Sequence, residues 1–263
     1  MDDRTLNPGT VHLWHAWCDF QAESPASEAC LDLLSADERL AEQKFHFAEG
    51  RSVYRLTRAM ARSVLSRYLD LLPADCRFER DRHGRPVLAH ETSVVDDLTF
   101  SISHSHRLIV MGVTRGARLG VDIERVDETR ASVDLADRFF SPREAAHLRS
   151  LPATRQTDAF FTYWTLKEAY VKALGLGLSV PLNQFAFELS ASGIVLHGGA
   201  PGVDDAPDRW NFQRLQLAAN YAGAICVDRV RGEEPVVIHR RFQLPLGKPG
   251  ATEDSGIVDP VFA

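Results

Sequence analysis

Three carboxylates and two lysines, drawn from two separate segments, are the side chains of this chain best suited to chemistry. Asp122 and Glu124 stand two apart in Gly120-Val121-Asp122-Ile123-Glu124, and Lys167, Glu168 and Lys172 follow Trp164 in a later segment. On a strand, residues two apart leave the same face, so Asp122 and Glu124 share one face while Val121 and Ile123 enter the core. Such carboxylates are the hard-oxygen ligands that Mg²⁺ takes together with water and substrate phosphate. Taken alone, the pair reads more plainly as a solvated strand end.

The later segment changes that weighting. In Phe160 to Gly177 (FFTYWTLKEAYVKALGLG), the residues Tyr163, Leu166, Tyr170 and Leu174 form a core stripe at helical spacing. Trp164, Glu168 and Lys172 form a second stripe at four-residue steps. A Glu–Lys pair at that spacing on a wet face contributes only ~0.3–0.5 kcal/mol and needs no function. Trp164 on the same stripe argues for a cleft wall instead. Three carboxylates could then hold one divalent ion, leaving Lys167 and Lys172 for phosphate oxygens, which are the parts that phosphoryl transfer requires.

A third segment, Phe100-Ser101-Ile102-Ser103-His104-Ser105-His106, alternates so that Ser101, Ser103 and Ser105 share one face and Ile102, His104 and His106 the other. His104 and His106 lack a third nitrogen or sulfur ligand nearby in sequence, so an anion contact from a turn is preferred to zinc. His83-Gly84-Arg85-Pro86-Val87-Leu88 reads as a turn and a short strand.

These segments must be positioned by a mixed set of elements. Ser35-Ala36-Asp37-Glu38 is a capping-box pattern opening a helical stretch that runs to Leu72, closed by Pro73. Ser141-Pro142-Arg143-Glu144 opens a second, broken near Pro152 and ended at Gly175. Strands are expected at 11–14, 77–79, 86–88, 98–103, 108–113 and 119–124. Others follow at 185–189, 194–196, 210–217, 221–227 and 236–242. The shared outline, a Ser-x-x-Glu cap before a long helix, suggests an internal duplication; superposing the serines sets Arg58 opposite Trp164 and Arg62 opposite Glu168. Residues 245–263, rich in Gly, Pro and acids, read as a flexible tail.

With 263 residues and a formal charge of −6, the chain is ample for a large core and lacks the basic excess of a nucleic-acid binder. No apolar run approaches the ~18 residues of a spanning helix, and no secretory leader is visible, so a cytoplasmic protein without a membrane partner is expected. Cys18, Cys30, Cys76 and Cys226 are scattered, as reduced core thiols would be.

Laid in order, Gly84 to Leu88 (GRPVL), Phe100 to Ser105 (FSISHS), Gly120 to Glu124 (GVDIE), Phe139 to Glu144 (FFSPRE) and Trp164 to Leu182 (WTLKEAYVKALGLGLSVPL) resemble the 4′-phosphopantetheinyl transferases, specifically the long, pseudo-dimeric Sfp-like group. The resemblance implies an α+β fold of two similar α/β halves related by a pseudo-twofold, residues 1–117 and 118–244, with the active site between them. It implies Mg²⁺, with Mn²⁺ as a substitute, on Asp122, Glu124 and Glu168. Lys167 and Lys172 would contact phosphates, and Glu168 would serve as general base. Gly84, Arg85 and Pro86 match a segment lying against the adenine of coenzyme A, and Ser103 and His104 match a phosphate-contacting pair. The reaction implied moves the 4′-phosphopantetheine arm from coenzyme A to a serine of an apo acyl or peptidyl carrier protein, releasing adenosine 3′,5′-bisphosphate. The carriers would serve polyketide, nonribosomal-peptide or fatty acid biosynthesis, and the enzyme would be a monomer.

One stretch departs from the family pattern. Where relatives carry a run of basic residues for the 3′-phosphate, Glu38 to Phe45 offers only Arg39 and Lys44, with Arg51, Arg55, Arg58 and Arg62 on the next helix as candidate compensation. Two other classes use similar residues. A Mg²⁺-dependent nuclease is disfavoured by the negative charge. A non-catalytic coenzyme A- or carrier-binding module is disfavoured by the intact Asp122, Glu124, Glu168 and Lys172.

Overall fold

Two copies of one element order make up the molecule. The computed structural model describes residues 5–19, 24–89, 97–129, 131, 133–177, 180–191, 193–200, 203, 206–229 and 232–244. The first copy runs β1 (Thr10–Trp17), α1 (Pro25–Leu33), α2 (Ala36–Glu42), α3 (Ala48–Leu69), the hairpin β2 (Phe78–Arg80) and β3 (Pro86–Leu88), then β4 (Leu98–Ser105) and β5 (Leu108–Arg115). The second runs β6 (Leu119–Arg125), α4 (Val133–Phe139), α5 (Pro142–Ser150), α6 (Ala153–Leu174), the hairpin β7 (Ala186–Ser190) and β8 (Gly193–His197), then β9 (Trp210–Leu215) and β10 (Tyr221–Asp228). The main sheets repeat the topology, β1-β5-β4 in one and β6-β10-β9 in the other, all antiparallel. A last strand, β11 (Val236–Arg241), falls in the stretch expected for the second half but pairs in parallel with β1 of the first. The expected tail, residues 245–263, lies outside the described residues.

Both capping boxes form as the sequence predicts, at Ser35 with Glu38 and at Ser141 with Glu144. In each the acidic residue also anchors a cation from the long helix. Glu38 accepts from Arg58 and from Arg62 Nε (2.8 Å), and Glu144 pairs with Lys167 Nζ (2.8 Å). The same cations hold the chain leaving each long helix: Arg62 donates to the carbonyls of Pro73 (3.0 Å) and Cys76 (2.8 Å), Lys167 to those of Leu182 (2.7 Å) and Phe185 (2.8 Å). Both long helices have 22 residues, and laid end to end they set Arg62 opposite Lys167. That corrects the expected match with Glu168, because the path from cap serine to long helix is one residue longer in the first half.

The helical stretch expected from Ser35 to Leu72 is divided. α2 ends at Glu42, where Arg55 clasps its carboxylate (2.8 Å), while Arg51 holds the Phe45 carbonyl (2.9 Å). α1 and α4 lie outside the helical stretches expected from the sequence. α1 opens on Ser24 with Pro25 at its first position, a common helix start. All four cysteines are buried as thiols.

Three packed clusters form the core. Met60, Val64, Leu65 and Tyr68 of α3 cover the first sheet, and Phe160, Tyr163, Leu166 and Tyr170 of α6 cover the second. Between the sheets lie Leu13, Leu108, Val110, Leu119, Val121, Ile123, Ile225 and Val227, all buried. β6 also lies directly against α6. A Cβ on Gly120 would sit 1.9 Å from the Ala169 carbonyl oxygen and 2.6 Å from the Ala173 nitrogen, so no other residue fits without moving the helix.

Two outcomes follow from this packing. Gly120→Ala should cost at least ~2–3 kcal/mol in denaturant unfolding, since it overpacks a contact made by backbone. Glu38 concerns pH. Burial raises its carboxyl pKa, but hydrogen bonds from Arg62 and the Ser35 N–H and the charge of Arg58 outweigh this, so the net shift is below the ordinary 4.5. A depressed carboxyl contributes stability that is present above the unfolded-state pKa and lost as pH falls through the folded one. Glu38→Gln should therefore lose roughly 2 kcal/mol at pH 7. Its stability should approach that of the parent as urea melts are moved down from pH 5.

Candidate active site

The face of α6 decides where chemistry can occur. From Phe160 to Ala173 every residue is buried except Trp164, Glu168 and Lys172, the stripe marked by its four-residue spacing. These three line a cleft of about 400 Å³ together with Asp122 and Glu124 of β6 and Ile102, Ser103 and His104 of β4. Trp164 is held edge-on by Phe139 (5.6 Å between centroids) and stacked on Phe160 (6.2 Å).

Charge is concentrated at the cleft floor. Lys172 Nζ lies 2.6 Å from Asp122 Oδ1 and 2.9 Å from Ser103 Oγ, and Ser103 donates to the same Asp122 oxygen at 2.8 Å. The other carboxylate oxygen, Asp122 Oδ2, is buried and accepts no hydrogen bond among the described residues. Burial, with repulsion from Asp122 and Glu124 exceeding the pull of Lys172, holds the Glu168 carboxyl above its ordinary pKa. As the side chains lie, no group of three His, Cys, Asp or Glu residues among those described meets around a common point. An orphaned buried oxygen and mutually repelling carboxylates are nonetheless what a small divalent cation would relieve, so the donor set fits Mg²⁺.

The serine face of β4 reaches across the seam. Ser101, Ser103 and Ser105 are buried, and their hydroxyls accept the N–H groups of Val121, Ile123 and Arg125. Their alternation was visible in the sequence; their partners were not. Arg85 is a second fastening. Its guanidinium donates to the carbonyls of Lys172 (2.9 Å), Phe100 (2.7 Å) and Leu119 (3.3 Å), tying the β2–β3 hairpin of the first half to the end of α6. Gly84 supplies the left-handed turn before it (φ 83°), where Asp81 Oδ1 accepts from the N–H groups of His83 and Arg85.

Lys167 does not reach the cleft. It is wholly buried, turned away from the cleft, between Glu144 and the Phe185 ring, 4.3 Å from its centroid. Burial lowers its pKa, opposed by the carboxylate of Glu144. One residue along a helix turns the side chain by about 100°, so a neighbour of Glu168 must face the core. Nor do Arg39, Lys44 or Arg58 line the cleft. Arg39 donates to the Leu34 and Asp32 carbonyls, Arg58 pairs with Glu38 and covers Phe78 at 4.6 Å, and Lys44 is exposed.

Two family models match the chain: the 4′-phosphopantetheinyl transferase superfamily over residues 118–226, and the N-terminal part of a 4′-phosphopantetheinyl transferase over residues 18–115. The 4′-phosphopantetheinyl transferase HetI of Nostoc sp. is 38% identical over 223 residues, covering 85% of this chain and 90% of that one. The chain belongs to the 4′-phosphopantetheinyl transferases. A second such relative, the transferase Sfp of Bacillus subtilis, is 30% identical over 216 residues, 82% of this chain and 92% of its own. Among solved structures, a holo-(acyl-carrier-protein) synthase from Bacillus anthracis in complex with CoA (3′,5′-ADP) is 20% identical, covering 42% of this chain and 93% of that one, with a TM-score of 0.35. The transferase has, among its described residues, no helix long and apolar enough to cross a membrane.

The two lysines of this phosphopantetheinyl transferase should separate cleanly on substitution. Lys167→Met leaves Glu144 charged and buried and should cost ~3–5 kcal/mol of stability. Lys172→Met leaves Asp122, which lines the cleft and keeps its Ser103 hydrogen bond, and should cost less stability than Lys167→Met yet lose ~10²-fold or more in transfer rate. Thermal melts beside single-turnover rates check both.

Proposed function

We propose that this transferase moves the 4′-phosphopantetheine arm of coenzyme A to a serine hydroxyl of an apo acyl or peptidyl carrier protein, releasing adenosine 3′,5′-bisphosphate. The observation that carries this reading is the convergence of Asp122, Glu124, Glu168 and Lys172 on one cleft, with Asp122 Oδ2 left without a hydrogen bond. Asp122, Glu124 and Glu168 would hold Mg²⁺, or Mn²⁺ in its place. When bound, the ion supplies neutralisation of pyrophosphate charge and of the leaving bisphosphate.

The chain's own groups do the rest. Lys172, already oriented by Asp122 and Ser103, offers a fixed positive charge to a phosphate oxygen. Glu168, whose carboxyl is made more basic by burial and by Asp122, takes the proton of the carrier serine, directly or through water. The serine oxygen forms its bond to the phosphorus bearing pantetheine as the bond from that phosphorus to the bisphosphate oxygen breaks. Trp164 and Ile102 wall the site. Ser103 and His104 would meet a phosphate of coenzyme A, His104 taking the 3′-phosphate, and the Gly84–Pro86 turn would lie against adenine. With Arg39 and Arg58 engaged inside the first half, the reading assigns the 3′-phosphate no further clamp. It includes a monomeric enzyme working in the cytoplasm on carriers of polyketide, nonribosomal-peptide or fatty acid synthesis.

Incubation with coenzyme A, Mg²⁺ and a panel of apo carrier proteins, read by intact mass, should add one phosphopantetheine to at least one carrier. A chelator should abolish the gain. Glu168→Gln should slow transfer ~10²-fold or more while coenzyme A still binds. No gain on any carrier, or full transfer by Glu168→Gln, would overturn the assignment.

A further inference from the structure

β4 and β6 run side by side at the seam but belong to different sheets, with no main-chain ladder between them. Serine hydroxyls stand where that ladder would be. Ser101 Oγ accepts the Val121 N–H (3.0 Å), Ser103 Oγ that of Ile123 (3.4 Å) and Ser105 Oγ that of Arg125 (3.0 Å). A hydroxyl that accepts in this way still has its O–H to give. Ser103 gives it to Asp122 Oδ1 (2.8 Å) and Ser105 to Glu124 Oε2 (2.9 Å). Each of these two serines therefore grips β6 twice, by the N–H of one residue and by the carboxylate of the residue before it. Ser101 makes the same main-chain grip, but the residue before Val121 is Gly120, which has no side chain to hold.

We propose that Ser105 is a positioning residue of the transferase, fixing the Glu124 carboxylate in the cleft so that it is ready for the divalent cation. This rests on the reading that Asp122, Glu124 and Glu168 bind that cation. A glutamate carboxylate on three rotatable bonds loses freedom when it becomes a ligand, and a buried hydroxyl that already orients it removes part of that cost. Ser103 is less separable, because Lys172 also donates to it. Ser101 is a control built into the same strand: it contributes to the seam without touching a carboxylate.

The test compares Ser105→Ala, Ser101→Ala and Ser105→Thr by Mn²⁺ titration followed by electron paramagnetic resonance, with and without saturating coenzyme A. Both alanine variants should melt at similarly reduced temperatures. Ser105→Ala should bind Mn²⁺ about tenfold or more weakly, Ser101→Ala within about twofold of the parent, and Ser105→Thr should recover most of the loss. In turnover, Ser105→Ala should need more Mg²⁺ for half-maximal rate while keeping kcat near the parent value at saturating Mg²⁺. If Ser105→Ala does not fold, Ser105→Cys, which keeps the volume but donates weakly, is judged by the same criterion. Mn²⁺ affinity in Ser105→Ala equal to that of the parent or of Ser101→Ala would overturn the proposal. A parent protein that binds no Mn²⁺ in either condition would overturn the cation site itself, and this inference with it.

Discussion

The site depends on the distance between one strand and one helix. Gly120 brings β6 against the backbone of α6 at Ala169 and Ala173, an approach that even a methyl group would prevent. With the two backbones in contact, their side-chain repeats come into step. Residues two apart on a strand are separated by about 6.6–6.8 Å and residues four apart on a helix by about 6 Å. Asp122 and Glu124 therefore stand alongside Lys172 and Glu168, and the electrostatics of Glu168 register both acids. Trp164, one more step along the helix, becomes the wall. Moving the helix outward by one side chain would leave the same residues as three separated surface acids.

Duplication explains the frame around that contact, and its asymmetry explains why the two halves differ in chemistry. Each half ties its cap glutamate to a buried cation of the long helix, Arg62 to Glu38 and Lys167 to Glu144. Beyond that tie the halves diverge. Laid end to end, α3 sets Arg67 where α6 has Lys172. Strand register sets Trp14 where β6 has Asp122, each facing the fourth residue of its neighbour strand. Instead of an ammonium on a carboxylate, the first half has Arg67 over the Trp14 ring at 5.4 Å, with Arg240 of β11 at 5.6 Å. Position for position, Asp122 has as its counterpart an aromatic ring covered by two cations. The first half therefore has an aromatic stack where the second has its carboxylate cleft.

What the sequence could disclose followed from locality. The Trp164, Glu168 and Lys172 stripe, both capping boxes, most strands and the shared face of Asp122 and Glu124 are periodic patterns, readable within one segment. The burial of Lys167 was not legible, because its place is set by Glu144, far away in sequence, and by which face of α6 turns inward. Arg58 and Arg39 were offered to a phosphate for the same reason, since their partners in α2 and before it arise from a fold between helices. Ser105 was visible as one of three alternating serines, but a hydroxyl gains meaning only when its acceptor is known. Helices α1 and α4 are short, nine and seven residues, and offer little periodicity to read. β11 was readable as a strand, while its return to the first sheet was not.

The proposed chemistry requires three carboxylates from two elements to act on one cation beside the pyrophosphate of coenzyme A. Crystals of the protein grown with coenzyme A and Mn²⁺, measured near the manganese absorption edge, address this directly. The account predicts one anomalous peak bounded by the Asp122, Glu124 and Glu168 carboxylates and the bound pyrophosphate, with Lys172 on a phosphate oxygen. Coenzyme A bound elsewhere, or manganese absent from that cleft while the nucleotide occupies it, would contradict it.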